Sequence, residues 1–535
     1  MRGLFKGAIA TSALLALVLS GCGTVAGNGD TGDGDADAVA EITIGSSDPV
    51  PDLTPGRQSN AFGLMMSVFS PLTFLDVEGE LSYVAAESVT SDDQRTWTIA
   101  LRDGWTFHDG TPVTAQDYVD SWNTVAYGPN AFENSGQLAS IAGYSDLNPS
   151  KGEPETDELS GLSVVDDLTF TVTLAQPDSQ FPSQLSQAQT AFYPMPQSAF
   201  GDLAAYGELP IGNGPFALTA AWTEGEPLVA ERYAEYAGDE ASLDRITWVP
   251  YTDRLTAYND VLAGNIDLVR LPANRMTQVS QDFDAEHVYS FEGPAISYLS
   301  FPFWDERFDD VRVRQAISMA IDRDAINDAL FGALNAPATA WTPSIMPGNP
   351  DGICGKYCEL DPEAARALLE EAGGFEGQLT IHFPGGSGQD DLFNAIANSL
   401  RQNLGIDAIA QPSVGWAEFS EDRNNEVLDG PFFARWGALY PSQQSTLRAV
   451  FTGAGCTNCG GTLIPEVAEA LNAADASSGA DGQAYAEAQQ LIADEFPIVP
   501  LFEESYNFVT SDRIAQLTTS AVGEPVLTDV VLAKN

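Results

Sequence analysis

Four cysteines carry the most specific chemistry in this chain by type and spacing: Cys354 and Cys358 form a CxxxC pair, Cys456 and Cys459 a CxxC pair. Four thiolates so placed could hold zinc, or the same sulfurs could close two disulfides with three possible connectivities. The redox compartment decides between them, since oxidation competes with metal binding outside the cytosol. Acid–base and nucleophilic chemistry is thinly represented. The three histidines, His108, His287 and His382, are far apart, and the chain holds no HExxH, no GxSxG and no Walker-type phosphate loop. GGSGQD at 385–390 sets Ser387 among glycines but lacks the second glycine of a nucleophile elbow. His108-Asp109 reads as a turn, because a dyad needs a nucleophile or metal partner that the neighbouring residues do not supply. Among 76 acidic residues no single carboxylate pair stands out as a hydrolase centre. These residues point away from an enzyme, with no catalytic group, cofactor or metal site expected.

The N-terminus sets the compartment. Arg2 and Lys6 form a short basic start, Ala8 to Ser20 is a run of apolar and small residues, and Leu19-Ser20-Gly21-Cys22 ends it. That run is too short to cross a hydrocarbon core, which needs about 20 residues, so residues 1–21 read as a signal peptide. The last four resemble a bacterial lipobox. In that family of signals the cysteine, here Cys22, receives a diacylglycerol and becomes the mature N-terminus, and two acyl chains anchor stably where one is marginal. Residues 22–40, rich in Gly, Asp and Ala, read as a flexible acidic tether. Export to an oxidising compartment makes two disulfides the expected state of the four remaining cysteines, with zinc as the alternative.

A net charge of −53 repels phosphate backbones and excludes nucleic acid as a partner. Its simplest meaning is a solvated surface suited to solubility or salt.

The elements that must position any site alternate between strand and helix periods, which indicates α/β architecture. The roughly 495 residues after the tether exceed one ordinary core and imply two or three lobes. Trp97, Ile99 and Leu101 alternate as a half-buried strand, Asp103-Gly104 supplies a turn, and Trp105 and Phe107 are expected to return as the second strand of a hairpin. Thr114 and Asp117 form a carboxylate variant of the capping box at the start of a helix. Asp361-Pro362 opens another helix, closed by Gly373 and Gly374. LTIHF, then Leu392, Ile396, Leu400 and Leu404, then IDAIA read as a β-α-β unit, and residues 246–268 repeat the scheme. No short internal repeat suggests a solenoid.

The stretch Leu101 to Tyr118, LRDGWTFHDGTPVTAQDY, resembles the family 5 extracellular solute-binding proteins, the dipeptide- and oligopeptide-type receptors of ABC importers. PIGNGPFAL at 210–218 is similar to that family's GTGPY-type segment, with Asn213 and Phe216 replacing Thr and Tyr. VRVRQAISMAIDRDAI at 311–326 resembles its arginine-bearing helix pair. DPEAARALLEEAGG and EFPIVPLFEES, at 361–374 and 495–505, match two further stations in family order. The resemblance implies a three-lobed, periplasmic-binding-protein-like fold of type II with the ligand cleft between lobes I and III. Lobe I is expected at 41–60, 191–292 and 506–535, lobe II at 61–190 and lobe III at 293–505. It further implies capture of a solute by lobe closure, delivery to an ABC permease, and a monomer held at the outer face of the bacterial cell membrane through Cys22.

The same resemblance places the ligand contacts. Peptide receptors of the family present an aspartate to the ligand ammonium from a W-x-A-D-Y segment. Here the segment is Trp436-Gly437-Ala438-Leu439-Tyr440, so Leu439 stands where the aspartate is expected. A buried ammonium without its carboxylate costs several kcal/mol. The ligand is therefore a peptide whose ammonium another acid receives, or an N-blocked peptide, an oligosaccharide or another neutral solute. Trp416 and Trp436 fall at positions similar to cleft tryptophans, Arg435 could meet a carboxylate, and Tyr440, Asn213 and Tyr298 complete the expected ligand contacts.

Overall fold

A computed structural model describes residues 39–47, 52–58, 61–452, 464–477 and 482–534. The signal segment, Cys22, Cys456 and Cys459 lie outside these residues.

The framework is a mixed sheet whose main strands, in chain order, are β1 (Glu41–Ser46), β2 (Phe216–Leu218), β3 (Leu228–Arg232), β4 (Arg245–Pro250), β5 (Leu268–Arg270), β6 (Val288–Ser300), β7 (Gln378–Phe383), β8 (Asp407–Pro412), β9 (Phe432–Gly437) and β10 (Ile498–Thr510). Across the sheet they run β8-β7-β9-β6-β10-β5-β1-β4-β3-β2, and the short pair Ala336–Pro337 joins β10 as an eleventh strand. Both expected β-α-β units are present. β7 and β8 pair in parallel around helix Asp390–Leu404, whose Leu392, Ile396, Leu400 and Leu404 are buried. β4 and β5 flank helix Arg254–Leu262, but β1 lies between them, parallel to both.

Three large cores hang on this framework. One gathers around β1 to β5 and includes Ile42, Leu64, Met65, Trp248, Tyr506 and Phe508. A second covers a separate four-stranded sheet ordered Ala86–Thr90, Thr96–Leu101, Thr169–Thr173, Leu162–Asp166. Helix Ala115–Ala126 lies over it because Tyr118, Trp122 and Val125 recur at helical spacing, and both aromatic rings meet Phe170, at 5.6 and 5.4 Å between centroids. A third core fills the space between β6 to β10 and helices Val311–Met319, Pro362–Glu371 and Asp390–Leu404.

The 13-residue strands β6 and β10 pair antiparallel and belong to more than one core. Ile296 and Val499 lie in the third core, while Phe291 and Phe508 lie with the first. Between these halves the register shifts, from Glu292 to Ala295. Gly293 sits in this bulge, where a Cβ would stand 2.1 Å from the Glu504 carbonyl oxygen, so no larger residue fits without moving the strand pair.

The expected hairpin at 97–107 is corrected. Strand Thr96–Leu101 pairs on one side with Ala86–Thr90 and on the other with Thr169–Thr173, so both its edges are occupied. Thr106 instead bridges Pro112. The turn and cap do form: Gly104 has φ +89°, and the Thr114 backbone N–H donates to Asp117 Oδ2 at 2.8 Å.

Motif segments far apart in sequence meet. His108 Nδ1 accepts from the Gly212 N–H at 3.2 Å and its Nε2 lies 3.0 Å from the Gly214 carbonyl, joining the opening motif to the 210–218 segment. Burial lowers the imidazole pKa, consistent with a neutral ring making both bonds. Arg314 donates to the carbonyls of Phe308, Asp309, Glu495 and Phe496. Arg323 donates to the carbonyls of Pro500 at 2.9 Å and Ser318 at 3.1 Å, and burial brings its pKa down to about 10. The arginine-bearing helices thus clamp the 495–505 segment into the third core. Cys354 and Cys358 are joined by a disulfide.

Candidate functional site

In an open α/β sheet, ligands bind beyond the carboxyl ends of the strands, where the chain switches direction. β1, β4 and β5 satisfy that rule, being parallel with β1 in the middle. Their ends open into a cavity of about 600 Å³, within the usual range for a small-molecule site. Ser46 and Ser47 enter it from β1, Pro250 and Tyr251 from β4, and Arg270 from β5. Gly45 brings the wall close, since a Cβ there would stand 2.8 Å from Ile266 and 2.9 Å from Ala257 under helix Arg254–Leu262. Trp222, Trp248 and Phe508 supply apolar lining, and Arg254, Glu224, Glu226 and Glu524 add charge of both signs. Arg254 Nε donates to Ser47 Oγ at 3.0 Å.

Tyr506 links this cavity to β9. The Arg270 guanidinium lies over its ring, 4.3 Å from the centroid. Arg435 Nη2 donates to the Tyr506 hydroxyl at 3.5 Å, and Arg435 Nε donates to Glu504 Oε2 at 2.6 Å. Glu504 and Tyr506 are two residues apart on β10, as the strand period requires for side chains sharing a face. The Glu504 carboxylate raises the Arg435 pKa, so this cation remains charged.

A second cavity of about 550 Å³ lies among elements of the first two cores. Trp105 and Tyr236 meet edge to face there at 5.3 Å, and Arg102 is committed to the carbonyls of Ala86 and Tyr83.

Residues 178–184 meet Gln444 and Asp475 at a buried polar seam. Gln184 Nε2 donates to Asp178 Oδ2 at 2.8 Å and to Gln444 Oε1 at 3.0 Å. Gln444 Nε2 donates to Asp178 Oδ2 at 3.0 Å, and the Tyr440 hydroxyl donates to Gln444 Oε1 at 2.6 Å. The Ser179 N–H reaches the Asp475 carbonyl at 2.7 Å. The Asp475 carboxylate pairs with Arg448 and accepts from the Tyr485 hydroxyl at 2.8 Å. Burial first, and the Asp475 charge second, push Asp178 up to about 6.

The residues singled out from sequence fall in different places. Arg435 and Trp436 stand side by side on β9, Arg435 in its ion pair and Trp436 half-buried with Nε1 donating to the Ser445 carbonyl at 2.9 Å. Leu439 packs against Leu75, Tyr440 and Ala521. Tyr440 is buried in the seam. Tyr298 is wholly buried in the third core. Asn213 is buried with Oδ1 accepting from the Ser70 N–H at 3.0 Å and lines neither cavity. Trp416 begins helix Trp416–Asn424, is 60% exposed, and also lines neither cavity. Arg270 and Tyr506 escaped sequence reasoning. The signal for Arg270 was its place at the end of a β-α-β unit, in Leu268-Val269-Arg270. Tyr506 lies just beyond the recognisable segment 495–505.

A family model described as bacterial extracellular solute-binding proteins, family 5 middle, matches residues 80–458. The periplasmic oligopeptide-binding protein OppA of Salmonella typhimurium is 28% identical over 458 residues, covering 81% of each chain. The periplasmic murein peptide-binding protein MppA of Escherichia coli is 26% identical, covering 82% of this chain and 83% of that one. A crystal structure of Haemophilus influenzae OppA in complex with RPPGFSPFR superposes with a TM-score of 0.74 at 23% identity, over 93% of this chain and 100% of that one. Among the described residues no group of acidic, histidine and cysteine side chains could hold a metal ion, and no helix is long and apolar enough to cross a membrane.

Proposed function

The chain belongs to the family 5 bacterial extracellular solute-binding proteins, and from that membership we propose that it is the peptide receptor of an ABC importer. The observation that carries the reading is the similarity to oligopeptide- and murein-peptide-binding proteins, which spans most of both chains. Capture is by closure. A peptide touching both the first-core strand ends and the third-core strand β9 gains its full contacts only when these parts approach, so its differential affinity shifts an open–closed equilibrium. The permease then receives the closed form. No bond is made or broken in this process, and turnover of a peptide panel is expected to yield no product.

Uptake tests the role directly. A strain deleted for this chain is expected to lose import of labelled short peptides and regain it on complementation; undiminished import means the chain serves an adhesin or sensor role instead. The receptor is proposed to act as a monomer tethered at the outer face of the membrane through lipidated Cys22. Cys22→Ala is expected to release it into the soluble fraction, and continued membrane retention contradicts the anchor.

A further inference from the structure

We infer that Arg270 is the group with which the strand-end cavity reads a carboxylate of the ligand. The inference deepens the peptide-receptor reading and rests on it.

Cations are scarce here, with 23 basic residues against 76 acidic ones, and those the structure describes are mostly committed. Eight arginines sit in ion pairs with described carboxylates. Arg314 and Arg323 are enclosed by backbone carbonyls. Arg270 differs from these. Among the described residues its guanidinium has no hydrogen bond and no ion pair, and its contact is the face of Tyr506. The carboxylate of Glu504, two residues before Tyr506 on β10, is directed to Arg435.

Position gives this cation a purpose. Arg270 ends β5, is half-buried, and lines the 600 Å³ cavity at the strand ends. Tyr506 is 7% exposed and held by Arg435, so it offers a fixed platform. A guanidinium stacked on an aromatic face keeps its plane and turns its N–H edge outward, the geometry that receives a carboxylate through two parallel hydrogen bonds. Ser46 and Ser47 add hydroxyl groups to the same cavity. Glu224, Glu226 and Glu524 line it too, so a ligand bearing both signs fits better than a simple anion. On a peptide the carboxylate is either the chain terminus or an acidic side chain.

Titration calorimetry with three pentapeptide pools separates these sources: free-acid peptides with neutral side chains, the same peptides as C-terminal amides, and amides carrying one Asp or Glu. If the terminus is read, wild type binds the first pool roughly 10- to 100-fold more tightly than the second, the range expected for a charged hydrogen bond. If a side chain is read, the third pool exceeds the second by the same factor. Either preference is expected to vanish in Arg270→Met and to return in part in Arg270→Lys, with circular dichroism confirming that both variants are folded. Equal affinity for all three pools, or an undiminished preference in Arg270→Met, overturns the inference. If wild type binds no pool, the peptide reading fails instead, and native mass spectrometry of the ligand carried from the cell decides: a carboxylate-bearing molecule lost from Arg270→Met upholds the role of Arg270, while a neutral ligand or one retained by that variant overturns it.

Discussion

At the Asp178 seam, Asp178, Gln184, Gln444 and Tyr440 answer one another within hydrogen-bonding distance, whereas at the strand-end cavity the guanidinium of Arg270 has an aromatic face for company and no described acid. Both regions are polar and both join segments distant in sequence. They differ in whether the chain supplies its own partners. A buried network satisfied from within holds one arrangement of the backbone, because breaking it strands donors and acceptors away from water. A polar group left without an internal partner beside a cavity is instead placed to take one from a ligand.

The largest effect is expected from breaking the seam. Gln444→Ala removes partners of Asp178, Gln184 and Tyr440 together. Unfolding stability is expected to fall by roughly 2–4 kcal/mol, read from the urea midpoint; a loss below about 1 kcal/mol would mean the seam is wet and not structural.

A smaller effect is expected from pH. Asp178 is raised from 3.8 to about 6, so the folded state holds its proton more tightly than the unfolded chain. Its contribution is therefore present at low pH and is lost as pH rises from about 4 to about 6, by up to roughly 3 kcal/mol. The other carboxylates titrate across the same range, so the quantity to follow is the difference between wild type and Asp178→Asn. That difference is expected to slope between these values and to flatten above them. Parallel curves for the two proteins would place Asp178 in contact with solvent.

The smallest effect on folding sharpens the contrast. Arg270→Met forfeits a contact worth about 1 kcal/mol or less, so stability is expected to stay within that margin while ligand affinity falls. A loss of stability as large as that of Gln444→Ala would make Arg270 a structural residue and erase the distinction between the regions.

Much of this architecture was legible in the sequence because it is periodic. Leu392, Ile396, Leu400 and Leu404 face one core because helical spacing puts them on one side, and β7 and β8 follow from the runs that flank them. Local spacing suggests a hairpin at 97–107, but the partners of that strand come from residues 86–90 and 169–173, a long-range pairing that local spacing does not reveal. The site divides the same way. Arg435 was visible as a cation that could meet a carboxylate, but its partner Glu504 lies 69 residues on and is brought to it by the antiparallel order β9-β6-β10. Similarity of position marks Trp416 as a cleft residue, yet it is largely exposed in this structure. Leu439 replaces the expected acid with an apolar side chain packed against Leu75, Tyr440 and Ala521, so any acid that receives a ligand ammonium stands elsewhere.

As a family 5 solute-binding protein, this chain is proposed to carry peptides. Native mass spectrometry of gently purified, lipid-free protein, with identification of the molecule released on denaturation, tests it most directly. A mixture of short peptides is expected; a single oligosaccharide or another non-peptide solute would overturn the peptide reading and make Leu439 the mark of a changed substrate class.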